Sequence, residues 1–573
     1  MVSRAWPWCV ALAVAASYAL TFGLNYGIDN HPVYLLQALK LLEPKILHND
    51  WYASQAMQYH PVFSYIAAPL MRASKSGWGI ALALTVTVSL STAYLYGPLR
   101  GLVRSKWVAL LAFVWLVALM FTTETQSIAV SYIFNPAFQP STLGSVGLLL
   151  SIGPFLRRRW LWSGIWLAFS GLFHANYLVL NVAVMGLAHL LLGGGFKATA
   201  RRLLLQLGPS LVPLAILAAP MLHTVGGENA AEAQRILFQI RAPHHYFPRA
   251  YQRDLVLPLG WLALGLSCSK ALPRTRALQL FCVWLLAAAV VIWVPTLLTS
   301  WTYVARIAQL FVWRLAPFSD LMGQALVGLA AARVLFKPRA LRGLSTTDVG
   351  TIVAGMLGLA SAYALRDSLG VSIVLVAQFG LGLLCFGVCW LSTQSALAPL
   401  VAKVREWRPI VGRVLPPLAV LAALALYANQ VNTPLRQLAA RSNVIVGLPR
   451  WDTELYDWVA KNTSVDAGFL TPPQDPSFRY FAKRAIVVDW KSTPMLPKDV
   501  IEWYERMKAV TGRPAFNNAH DLDGYKDLTP RKVSELRARY GFDYVVTYVG
   551  VNRGLDTLRA VYRNARYVVY DLR

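Results

Sequence analysis

Long apolar runs alternate with short basic segments along most of the chain. Runs long enough to cross a bilayer, roughly 17–25 residues, recur between residue 6 and about residue 428. Clusters of Lys and Arg, such as Arg157–Arg159, follow every second run. Because basic residues concentrate in the cytoplasmic loops of membrane proteins, this alternation predicts about 13 transmembrane helices, with the N-terminus in the cytoplasm and the C-terminus outside.

The predicted helices are only as long as their apolar runs, and some are short. Short or broken helices are tolerated in membranes where they line a cavity, so the run at 160–173 predicts a polar cavity at its end. The main predicted spans are 6–25, 78–97, 107–122, 160–173, 203–222, 255–269, 277–299, 348–365, 370–391 and 414–428.

The composition changes after Asn429, where mixed charge replaces the apolar runs. Residues 429–449 are expected to be a linker, and 450–573 read as helices alternating with strands. Helices with Pro near their start are predicted at 497–510 and 530–541. Four strands are predicted with them, at 467–473, 484–490, 542–549 and 565–572. The predicted fold class is an all-α polytopic membrane domain (1–428) with a small external α/β domain.

The formal net charge is +27, and 14% of the residues are charged. A basic patch for nucleic acid would gather this charge on one surface, whereas here it is divided among the short loops. The charge therefore indicates membrane topology and excludes a nucleic-acid partner. The five cysteines all lie in apolar runs, so the sequence indicates no disulfide framework in the soluble part.

The first predicted external loop, residues 28–71, carries two acids in distinctive settings. Asp29 follows the first apolar run and precedes a Pro, which suits either a helix cap or a catalytic base at the membrane surface. Asp50 lies beside Trp51 and Tyr52 and could be a second catalytic acid or a second cap. His31 and His60 each precede Pro and are candidate substrate-binding residues, although single histidines are more often structural.

Further polar residues lie near the predicted external ends of the spans. Glu124 ends the third span, and His174 and Asn176 end the short fifth span. Arg306 and Arg314 are eight residues apart, close to two helical turns, in an external apolar segment where basic residues are unexpected. They are predicted either to bind a phosphate or pyrophosphate or to extend towards lipid head groups.

In these features the chain resembles the GT-C superfamily of polytopic glycosyltransferases. The resemblance rests on an acid just after the first span, a long first external loop, about 13 spans and an external α/β tail. It is nearest in layout to bacterial aminoarabinose and protein-mannose transferases. It implies transfer of a sugar from a polyprenyl phosphate to an acceptor hydroxyl, with inversion, outside the bacterial cytoplasmic (inner) membrane.

The resemblance also assigns roles and partners. Asp29 would be the base and Asp50 the second acid, and Arg306 with Arg314 would bind the donor phosphate. The partners would be a polyprenyl-linked sugar donor, a lipid, glycan or protein acceptor, and membrane lipids. The external loops lack a clear DxD or ExD motif, which leaves the use of a divalent metal open.

Two other classes of function stay open at this stage. A transporter or flippase of lipid-linked sugars is one, although such proteins often carry internal repeats and the sequence shows none. The other is a non-catalytic assembly protein whose external domain binds a partner.

Overall fold

The computed structural model describes residues 2–56, 60–74, 76–122, 126–222, 229–246, 256–336, 356, 446–516 and 518–573. The predicted spans at 348–365, 370–391 and 414–428 lie outside these residues, except for Met356, and so does the predicted linker for most of its length.

The first part of the chain is helical because its apolar runs satisfy their backbone groups internally. Its helices are α1 (Val2–Gly23), α2 (His31–Tyr34), α3 (Leu36–Leu42), α4 (Trp51–Ser54), α5 (Pro61–Ala73), α6 (Trp78–Tyr94), α7 (Tyr96–Leu102), α8 (Lys106–Thr122), α9 (Pro140–Leu156), α10 (Trp160–Phe173), α11 (Ala175–Leu191), α12 (Phe196–Leu207), α13 (Leu211–Leu222), α14 (Ala230–Arg235), α15 (Pro243–Tyr246), α16 (Val256–Cys268), α17 (Arg276–Trp301), α18 (Ala305–Leu310) and α19 (Ala316–Phe336).

Four stretches of helix in the described part are long and apolar enough to cross a membrane. They are Trp78–Leu102, Phe196–Leu217, Arg276–Ser300 and Ala305–Phe336. Shorter apolar helices accompany them, among them α9, α10 and α11. The chain therefore has the character of a multi-pass membrane protein.

Two details of the first loop differ from the sequence-based expectation. The helix that Asp29 was expected to cap is divided into two, α2 and α3, at Leu35. Asp29 does not cap it: the residue before α2 is Asn30, which makes no side-chain cap hydrogen bond.

A two-stranded ribbon, β1 (Gln126–Ser127) with β2 (Ser131–Tyr132), lies between α8 and α9.

The C-terminal part folds around a mixed five-stranded sheet. Its helices are α20 (Arg450–Asn462), α21 (Ser477–Ala482), α22 (Pro497–Thr511) and α23 (Pro530–Tyr540), and its strands are β3 (Gly468–Leu470), β4 (Ala485–Ile486), β5 (Tyr544–Tyr548), β6 (Arg559–Arg563) and β7 (Tyr567–Asp571). The strand order is β4-β3-β5-β7-β6, in which β3 is parallel to β4 and β5, and β7 is antiparallel to β5 and β6. Four of these strands match the sequence-based prediction, and β6 was not predicted.

The C-terminal domain packs against loops of the helical part. Ala233, Ile236 and Ile240, from the segment after α13, belong to the same buried apolar cluster as Trp503 and Met507 of α22. On another side of the domain, the Tyr480 hydroxyl lies 2.5 Å from that of Tyr26, close to the end of α1. The two parts therefore share buried surface near the start of the first loop.

Candidate active site

Asp29 lies on a sharp turn a few residues beyond the end of α1. Its φ of 48° is left-handed, which is uncommon for a residue other than glycine. Gly27, two residues earlier, has a φ of 78°, and a side chain there would collide with the Phe481 ring. The turn leaves the Asp29 carboxylate partly exposed, with its Oδ1 2.5 Å from the Nζ of Lys491 in the C-terminal domain.

His31, in the first turn after Asp29, is fully buried between two backbone amides. The Gly27 N–H lies 3.1 Å from its Nδ1, and the Phe138 N–H lies 2.8 Å from its Nε2. Burial lowers the pKa of His31 to about 3, against the opposing charge of Asp29. His31 thus holds the first loop against the segment before α9, and its predicted contact with substrate stays a prediction.

Asp50 is fully buried, and its carboxylate oxygens are occupied by protein groups. Its Oδ1 accepts the Ala53 N–H at 2.8 Å, which caps α4. Its Oδ2 accepts the Arg479 Nε–H at 2.8 Å and the Ile486 N–H at 2.9 Å. This geometry favours the cap alternative, and a direct catalytic role for Asp50 stays a prediction.

Arg479 joins Asp50 to a second buried acid, Asp489, at an Nη1–Oδ2 distance of 2.5 Å. All three charges are at most 2% exposed, and the guanidinium also lies 5.1 Å from the Tyr52 ring centroid. We call Asp50, Arg479 and Asp489 the buried triad. It fixes the C-terminal domain to the first loop.

Replacing Arg479 by Met is expected to destabilise the protein strongly. The change leaves two buried carboxylates without a counter-charge, which costs roughly 3–5 kcal/mol. Thermal unfolding of the purified protein should show a clearly lower midpoint. Adding Asp50→Asn and Asp489→Asn to the same protein should restore part of it, because those carboxylates are then neutral. A single variant as stable as wild type would contradict this role.

Arg314 follows a sharp bend between α18 and α19. Phe311 ends α18 in a left-handed conformation (φ 48°, ψ 51°), and a 3₁₀ turn over Val312–Leu315 carries Arg314. The Trp313 Nε1–H donates to Thr296 Oγ1 on α17 at 2.8 Å, which holds the turn in place. Because the helix breaks at Phe311, Arg306 and Arg314 do not share one helical face, contrary to the expectation from their spacing.

The Arg314 guanidinium is surrounded by aromatic rings. Its central carbon lies 4.8 Å from the Phe311 ring centroid and 5.9 Å from that of Tyr132. Within the described part of the chain, its buried Nε has no hydrogen-bond partner and no acidic side chain pairs with it. Four tyrosine hydroxyls lie within electrostatic range of this charge, those of Tyr34, Tyr132, Tyr177 and Tyr246. Arg314 and these tyrosines are called the arginine cluster.

Two histidines predicted from the sequence border this cluster. The His60 and His174 rings are 5.1 Å apart, and they contact Tyr34 and Tyr177 respectively. Burial lowers the pKa of His60 to about 4, with the nearby charge of Arg314 acting in the same direction. His60 is therefore neutral at pH 7, so the positive charge beside it belongs to Arg314.

Tyr34 connects the arginine cluster to Asp29. Its hydroxyl lies within electrostatic range of both Arg314 and the Asp29 carboxylate. Burial raises the pKa of Tyr34 above its usual value, so the phenol stays a neutral hydrogen-bond donor. The partly exposed acid Asp29 and the desolvated cation Arg314 thus both lie within electrostatic range of one tyrosine.

The remaining predicted residues lie in different settings. Asn176 donates from Nδ2 to the Leu310 carbonyl at 3.1 Å, which secures the end of α18. Arg306, on α18, is exposed. Glu124 lies outside the described residues. The substrate-binding roles predicted for these residues stay predictions.

Several residues of the site were not identified from the sequence. Tyr132 and Tyr177 had a signal, because one lies in a polar segment between spans and the other directly follows Asn176. Asp320 is an acid in an apolar segment, itself a signal of function, and its Oδ2 accepts from Ser127 Oγ at 2.6 Å. Lys491 follows strand β4, and the carboxyl ends of parallel strands are frequent positions for functional groups.

Among the residues that the structure describes, no group of three or more His, Cys, Asp or Glu side chains is arranged to hold a metal ion.

Comparison with known proteins gives one partial family match and two structural similarities. A domain of unknown function, DUF6798, matches residues 450–510. No curated protein matches the sequence. ArnT from Cupriavidus metallidurans, solved bound to undecaprenyl phosphate, is similar at 12% identity and a TM-score of 0.48, over 99% of this chain and 97% of that one.

The second structure is an oligosaccharyltransferase from Archaeoglobus fulgidus tethered to an acceptor peptide. It is similar at 12% identity and a TM-score of 0.46, over 95% of this chain and 69% of that one. At 12% identity, both similarities concern the fold alone.

Proposed function

We propose that this chain is a membrane glycosyltransferase of the GT-C type. It moves a sugar from a polyprenyl phosphate to an acceptor hydroxyl, with inversion, on the external face of the bacterial inner membrane. In this proposal residues 1–428 form the membrane domain and 450–573 the external domain, joined by 429–449.

The observation that carries the proposal is the guanidinium of Arg314. A desolvated cation is costly unless an anion pairs with it, and no acid in the described residues does so. A guanidinium matches the oxygens of a phosphate in two-point geometry. Tyrosine hydroxyls within electrostatic range could donate further hydrogen bonds to the same group. Apolar helices adjoin the cluster, and a polyprenyl tail could lie along them.

The proposed chemistry uses the two charged groups near Tyr34, Asp29 and Arg314. Asp29 takes the proton of the acceptor hydroxyl while that oxygen attacks the anomeric carbon of the sugar. The bond between the anomeric carbon and the phosphate oxygen breaks, and its electron pair leaves with the phosphate. Arg314 stabilises that developing charge. Attack from the face opposite the leaving group inverts the anomeric centre.

An assay of sugar transfer in detergent distinguishes a glycosyltransferase from a transporter of lipid-linked sugars. Purified protein would be incubated in detergent with a panel of labelled polyprenyl-phosphate sugars and a lipid and glycan extract of bacterial envelopes. A transferase is expected to release free polyprenyl phosphate and to label an acceptor without any membrane-bounded compartment. Movement of label across sealed vesicles, without product in detergent, would instead favour the transporter alternative.

A further inference from the structure

A turn after strand β4 presents Lys491 to Asp29. The buried Asp489 shapes this turn, because its Oδ1 accepts the N–H groups of Lys491 at 2.9 Å and Ser492 at 2.7 Å. The other carboxylate oxygen of Asp489 binds Arg479 in the buried triad. The backbone of Lys491 is therefore fixed relative to the first loop, which also carries Asp29.

A loop of the helical part holds the same turn from another side. The Arg241 Nε–H donates to the Trp490 carbonyl and to Thr493 Oγ1, both at 2.9 Å. The Arg241 guanidinium also lies 4.9 Å from the Trp490 ring centroid. Arg241 ends the π-helical segment Ile236–Arg241, and His245 and Tyr246, just after it, contact Phe311 beside Arg314. The turn that carries Lys491 is thus tied to both sides of the proposed active site.

We propose that Lys491 is the positioning residue for Asp29, so that the C-terminal domain completes the active site. This inference rests on the proposed function. Asp29 is partly exposed, with 38% of its side-chain surface accessible, so its carboxylate could rotate without a partner. The ion pair with Lys491 occupies Oδ1 and leaves Oδ2 to receive the proton of the acceptor hydroxyl.

The chain provides a matched control. Lys483 pairs with Glu43 at 2.5 Å, and this ion pair also joins the C-terminal domain to the first loop. Both lysine pairs are partly exposed, so each contributes little to stability and either lysine can be replaced without loss of the fold. Of these two lysines, Lys491 is the one that contacts Asp29. Comparing Lys491→Met with Lys483→Met therefore separates positioning of Asp29 from general docking of the domain.

The experiment measures kcat and the donor KM for both variants in the detergent transfer assay. Lys491→Met is expected to lower kcat roughly 10- to 100-fold, as misplacement of a catalytic group does, with little change in donor KM. Lys483→Met should keep near-normal kcat. Lys491→Arg should recover most of the lost rate, because it restores the positive charge.

Three results would overturn the inference. Equal losses in the two Met variants would show that the ion pairs serve docking, and a failed rescue by Lys491→Arg would remove the role of charge. Normal kcat in Lys491→Met beside an inactive Asp29→Asn would refute positioning and leave the proposed function standing. Normal kcat in both Lys491→Met and Asp29→Asn would count against the proposed function itself.

Discussion

Asp29→Asn is expected to slow sugar transfer by roughly 10²–10⁴-fold, the usual contribution of a positioned general base. Asn has nearly the same shape as Asp but cannot accept the proton. It also tolerates the left-handed backbone that Asp29 adopts, so the turn should be preserved. The loss of the Lys491 ion pair should cost little stability, because that pair is partly exposed.

The measurement compares labelled-sugar transfer by wild type and Asp29→Asn in the same detergent. Thermal unfolding midpoints serve as the control for folding, and they should agree closely. Donor affinity should also be similar, since the phosphate is assigned to Arg314. Near-normal turnover by a well-folded variant would exclude Asp29 as the base and reopen the search for the proton acceptor.

Arg314→Ala is expected to lower transfer by roughly 10²–10³-fold, the scale of losing one preorganised charge at the reacting centre. The donor KM should rise as well, because the same guanidinium is proposed to bind the phosphate before and after the sugar leaves. Arg314→Lys should lie between Ala and wild type. Lysine keeps the charge but loses the two-point geometry of the guanidinium.

Competition with free polyprenyl phosphate provides a direct measure of this role. The phosphate should inhibit wild type, and inhibition should weaken markedly in Arg314→Ala. Arg306→Ala, eight residues earlier on the exposed side of α18, should lose less activity. Equal inhibition of wild type and Arg314→Ala, or a larger loss in Arg306→Ala, would move the phosphate site away from the arginine cluster.

Much of the helical architecture could be predicted because a membrane span leaves a long apolar signature. The run at 160–173 coincides with α10 (Trp160–Phe173), and His174 follows it as expected. Proline near a helix start likewise located α22 and α23. Strand β6 was not predicted because it is a short edge strand with Arg at both ends. Its side chains are mostly exposed, so the sequence lacks the apolar run that marks a buried strand.

The assembly of the site could be predicted only in part. Asp29 and Arg314 stood out locally, as charges next to apolar runs. Lys491 and Asp29 are more than four hundred residues apart, and no periodicity marks such a pairing. The bend at Phe311 was also hidden, because left-handed turns are usually signalled by glycine and none is present there.

The apolar core of the C-terminal domain includes side chains from the helical part of the chain. Ile236 and Ile240, from a loop between apolar helices, complete the core around Trp503. A chain cut before residue 446 would leave that side of the C-terminal domain uncovered, and the separated piece would tend to associate through it. The C-terminal domain and this loop therefore have to match each other. Recombination that exchanged the C-terminal domain alone would also have to supply a matching loop, which a distant part of the gene encodes.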